Sequence, residues 1–92
     1  MENKKIIITV LGHDTVGIIA AVTTYLAEHK INILDISQTI VSGFFHMMTI
    51  ADMTDATVSF AETSESLTEI GKGLGVEIKC QKEEIFEKMH RI

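Results

Sequence analysis

The sequence predicts an α+β sandwich: four strands in one antiparallel sheet, two helices together on one face of it, and a short C-terminal helix. Three observations carry this expectation. The run Lys4 to Leu11 is dense in β-branched residues and apolar at nearly every position, as in a strand covered on both faces. Two later stretches return apolar residues at helical spacing. Between them, two β-rich runs are separated only by Ser42-Gly43, the composition of a two-residue hairpin turn.

Each element follows from its residues. The first strand stops at Gly12, and His13, Asp14 and Thr15 are polar and turn-like. Ile19, Val22 and Leu26 then predict a helix over Thr15 to His29. Asp14 has the side chain to cap it, while His29 and Lys30 complement its dipole at the far end. Asn32 to Val41 and Phe44 to Met53 form the hairpin. Ser59 and Glu62 stand at capping-box spacing ahead of Leu67, Ile70 and Leu74, so a second helix runs to Gly75. Gly75 suits the left-handed residue that ends a helix, whereas Gly71 and Gly73 each weaken it by about 1 kcal/mol relative to Ala. Val76, Ile78 and Cys80 alternate with Glu77, Lys79 and Gln81, giving a half-buried edge strand with the thiol inward. Ile85, Phe86, Met89 and Ile92 form the apolar side of the terminal helix. The order βαββαβ with right-handed crossovers is a ferredoxin-like fold. Because the central strands are apolar on both parities, the sheet face away from the helices needs a cover, either another subunit or the terminal helix.

Composition narrows the function. Ninety-two residues make one domain, and 46% hydrophobic with 23% charged residues is a globular balance. A formal charge of -5 repels a phosphate backbone, so no nucleic-acid partner is expected. No run is long enough for a membrane span, and the single Cys80 closes no intrachain disulfide; the expected location is the cytoplasm. Gly12 and Gly17 sit like the glycines of a phosphate loop, but Ile18 and Ile19 stand where Lys and Ser or Thr belong, which excludes nucleotide binding. Two readings stay open for these glycines: a tight, closely packed turn, or a loop aimed at a helix N-terminus that suits a small anion such as a carboxylate. Asp14 likewise divides between helix cap and ligand contact. His13, His29, His46 and His90 fall in no metal-ligand spacing, and no nucleophile with a base is suggested. Neither metal, cofactor nor catalysis is expected.

The segments IIITVLGHDTVG, GIIAAVTTYLAEHK and INILDISQTI, at their separations, resemble ACT domains, the small-molecule-sensing regulatory modules of amino-acid metabolism. The resemblance covers residues 4–81 and leaves 82–92 as a C-terminal helical extension. Through its ending MHRI the chain is similar to stand-alone single-ACT proteins, which resemble the repressor of the glycine cleavage system in miniature. The family binds an amino acid where the first loop of one copy faces the start of the second strand of another. Here the resemblance implies loop contacts at Gly12, His13, Asp14 and Gly17 and a second-strand contact at Asn32. Val16 replaces the Pro that usually precedes the second Gly, and Lys30 replaces the Gly that commonly ends the helix. The implied function is a non-catalytic regulatory module that binds an amino acid or similar small molecule at the interface of a homodimer, with a protein partner as a further expectation. The alternative is a constitutive interaction or oligomerisation module with no ligand.

Overall fold

A computed structural model describes residues 4–13 and 15–84. Its elements run β1 (Lys5–His13), α1 (Ile18–Glu28), β2 (Asn32–Val41), β3 (Phe44–Asp52), α2 (Phe60–Leu74) and β4 (Val76–Lys82). The sheet order is β2-β3-β1-β4, with every neighbouring pair antiparallel. This is the expected βαββαβ ferredoxin-like sandwich.

The core lies between the sheet and both helices. Ile6, Ile8 and Val10 of β1 and Phe45, Met47 and Ala51 of β3 meet Ile18, Val22 and Leu26 of α1 and Leu67 of α2. Period-two alternation in the strands and three-to-four spacing in the helices supply these faces. Strand parity therefore places Ile7, Thr9, Leu11, Phe44, His46, Met48 and Ile50 on the opposite face, which no described helix covers.

Three boundaries differ from expectation. β1 continues through Gly12 and His13, because both residues stay in register with Phe45 and Phe44. In consequence α1 starts at Ile18 rather than Thr15, with Gly17 as N-cap at φ 93° and no side-chain cap. Asp14 therefore precedes that cap by three residues and is not the N-cap; its own placement lies outside the described residues, as do residues 85–92 of the helical extension expected over 82–92. At the other end α1 stops at Glu28, so His29 and Lys30 fall beyond its last turn. Lys30 takes φ 57°, the left-handed conformation that a Gly adopts without strain.

The other punctuation agrees with the sequence. Ser42 and Gly43 both have positive φ, 51° and 82°, as a tight hairpin turn of the primed type requires. Ser59 accepts a bond of 3.1 Å from the Glu62 N–H at the start of α2, and Gly75 closes that helix at φ 74°.

Candidate functional site

The sequence-predicted residues fall at two ends of the sheet. Gly12 and His13 close β1 at the end marked by the Ser42-Gly43 turn, and Gly17 follows at the start of α1. Asn32 opens β2 at the other end, paired with Asp52. Asp52 and Phe44 are eight residues apart on one straight strand, about 27 Å at the usual strand rise. One chain therefore brings Gly12, His13 and Gly17 together and leaves Asn32 far from them.

At the loop end the two glycines have different reasons. A Cβ on Gly12 would stand 2.8 Å from Val76 Cγ1, so this glycine permits β1 and β4 to approach. Gly17 faces open space and is required by its backbone angle instead. The first turn of α1 is only partly satisfied: Ile18 N–H bonds the Thr15 carbonyl at 3.5 Å and Ala21 N–H bonds Gly17 at 2.9 Å. The N–H groups of Ile19 and Ala20 lie between them, in the part of a helix that has no internal acceptors. Beside this turn the His13 ring stacks on Phe44 with centroids 4.7 Å apart. Val16 is 98% exposed, and Leu11, Val41 and Phe44 are also exposed. Sequence reading missed Phe44 because its partnership with His13 depends on the long-range β1–β3 register.

At the Asn32 end an open groove of about 640 Å3 runs past Lys30, Asn32, Asp52, Thr54 and Asp55. Asp52 accepts from the Thr54 hydroxyl at 2.6 Å and the Thr54 N–H at 2.9 Å, and the hydroxyl bond, then the N–H bond, hold its carboxyl below the ordinary range. The groove thus carries two carboxylates and one ammonium beside the Asn32 amide. Among the described residues no three His, Cys, Asp or Glu converge to hold a metal ion, and no helix is long and apolar enough to cross a membrane.

Cys80 belongs to neither end. It lies opposite Ile8 in the β1–β4 register and packs against the core, and burial pushes its thiol up to about 12 from 9.0. The expected outcome is a thiol that a disulfide reagent at pH 8 modifies only after denaturant is added; immediate modification of the native protein would contradict the packing. The sign for stability follows. The unfolded chain loses this proton first, so the thiol's contribution is intact below about pH 9 and falls as pH rises toward 12.

The ACT domain family profile matches residues 4–81. A UPF0237 protein of Bifidobacterium longum is 57% identical over 89 residues, covering 97% of this chain and 99% of the relative. An ACT domain protein from Streptococcus pneumoniae superposes with a TM-score of 0.79 at 38% identity, covering 94% of this chain and 97% of that one. A structure described as a glycine cleavage system transcriptional repressor shares the fold, with a TM-score of 0.70 at 19% identity over 84% of this chain and 44% of that one.

Proposed function

The chain belongs to the ACT domain family, a regulatory rather than catalytic domain type, and on that premise we propose that it binds an amino acid or similar small molecule between two copies of itself. The observation that carries this reading is the separation of its two half-sites along one open edge. β2 is an edge strand of ten residues, none of them buried. Such a strand offers unpaired backbone groups to a second chain. Antiparallel pairing of two β2 strands about a two-fold axis sets the Asn32 end of one copy beside the Val41 end of the other. That is the end at which β1 delivers Gly12, His13 and the first turn of α1. The composite site then has open N–H groups at a helix N-terminus for a carboxylate, and the Asp52 and Asp14 carboxylates for an ammonium. Asn32 adds a donor and an acceptor.

Isothermal titration of the protein against a panel of amino acids tests this. A saturable heat is expected for one of them. Asp14→Asn and Asn32→Ala are then each expected to weaken binding by about 1.5 to 3 kcal/mol, the range for a charge-assisted hydrogen bond. A second reading, a constitutive oligomerisation module with no ligand, is favoured by the same β2 edge, which needs no ligand to pair. It predicts a dimer and no heat from any amino acid. The lone half-buried thiol suits a reducing compartment, and the cytoplasm is the proposed location.

A further inference from the structure

A second open cleft, of about 660 Å3, lies where the start of β1 and the end of β4 meet the segment that leads into α2. Its apolar wall includes Ile6, Met53, Ala56, Val58 and Phe60. Ile6 is buried in the core, but the other four are only half-buried at its margin. Their outer surfaces stand in the cleft. The charged groups around it are Lys4, Lys5, Lys82 and Glu84. Three of the eight Lys and Arg residues of a chain with net charge -5 are thus gathered at one apolar hollow.

The strand register accounts for this gathering. Lys82 is the β4 partner of Ile6, and Lys4 precedes Ile6 by two residues, so strand alternation sets both on the helix side of the sheet. There the Lys82 Nζ sits 5.5 Å from the ring centroid of Phe60, the first residue of α2. This cation–π contact holds one ammonium against the apolar wall. Lys5 has the other parity and stands opposite Asp52, with which its charge interacts. Neither Lys4 nor Lys82 forms an ion pair with a described residue, and Glu84 on the same rim pairs with neither.

We propose that this cleft binds a small organic anion with a hydrophobic body and no ammonium group. Thr54 lines both this cleft and the groove beside Asn32, but the two differ in sign. The groove carries two carboxylates and one ammonium, the cleft three ammonium groups and one carboxylate. An α-amino acid in the cleft therefore loses through its own ammonium what its carboxylate gains, whereas the same molecule without the ammonium keeps the whole attraction. The half-buried side chains add affinity in proportion to the apolar area that the ligand covers, and a cleft of this volume takes a small molecule. All of these residues belong to one chain, so the site stands apart from the interface site proposed above.

Full-length protein titrated with hydrocinnamate, phenyl phosphate, hydrocinnamyl alcohol and L-phenylalanine, and followed by amide chemical shifts, tests this. Hydrocinnamate is phenylalanine without its ammonium, and the alcohol removes the negative charge as well. Saturable shifts at residues 4–6, 53–60 and 82–84 are expected with at least one of the two anions, and the tighter of them gives the head group. The alcohol and phenylalanine should bind there about tenfold more weakly, the factor for one charge-assisted contact, and added salt should weaken the anion. Lys4→Gln combined with Lys82→Gln should weaken the anion by about tenfold or more, with an unchanged circular dichroism spectrum. The proposal is overturned if neither anion gives saturable shifts at these residues, if the alcohol binds there as tightly as the anions, or if the double variant binds them unchanged.

Discussion

Replacing Ile36 and Ile40 together by Glu is expected to abolish the proposed pairing of two copies through β2 without unfolding the chain. Both residues lie on β2, the edge strand, and they are 41% and 57% exposed in the single chain. They point to the side of the sheet that carries the helices, since they pair with Thr49 and Phe45, yet no helix buries them. Their exposed halves are worth little to the folded monomer, so Glu at these positions leaves the fold intact. In a two-fold dimer built on β2 each of them appears twice. Covering the remaining half of one Ile side chain contributes about 1 kcal/mol, so four of them contribute about 4 kcal/mol, close to a thousandfold in the dissociation constant. Four carboxylates close to one axis add repulsion. Sedimentation of the wild type and the double variant at equal concentration, with circular dichroism as the control for folding, measures the effect. A variant that stays dimeric with unchanged affinity places the interface elsewhere and removes the composite site with it.

How much of this was legible in the sequence depends on the range of the interaction that decides each feature. The strands, both main helices and the Ser42-Gly43 turn rest on local pattern, and residues within a few positions of one another decide them. Counting outward from the turn places Asn32 opposite Met53. The register shift between Ile33 and Asp35 makes Asp52 its partner instead, and so brings a carboxylate to the candidate site. A bulge of that kind has no signature in the run INILDIS, because it depends on how the strand bends over the core. The start of α1 was misplaced for a related reason. Thr15 and Val16 are compatible with helix locally, but pairing of His13 with Phe44 prolongs β1 and postpones the helix to Ile18. Nor could sequence separate the loop glycines. The closeness of Gly12 to Val76 arises from two strands more than sixty residues apart in the chain.

Gly71 and Gly73 make the same point with opposite signs, although helix propensity treats them alike. Both lie in the last turns of α2. A Cβ on Gly73 meets nothing within 4 Å, and Gly73→Ala is expected to stabilise the protein by about 0.5–1 kcal/mol through propensity. A Cβ on Gly71 would stand 2.7 Å from the Val76 carbonyl oxygen and 3.0 Å from Ile78 Cγ1. The first of these is backbone and cannot rotate away, so α2 would have to lift off β4. Overfilling a packed interface in this way costs about 1–3 kcal/mol net, and more at the upper end if Val76 and Ile78 lose their places in the core. Gly71→Ala should therefore lower the melting temperature by about 8–16 °C for a net loss near 2 kcal/mol, while Gly73→Ala raises it by a few degrees. The pair is measured in one thermal series. Two shifts of the same sign would mean that propensity governs this helix and that α2 does not bear on β4 as tightly as its backbone contact at Val76 requires.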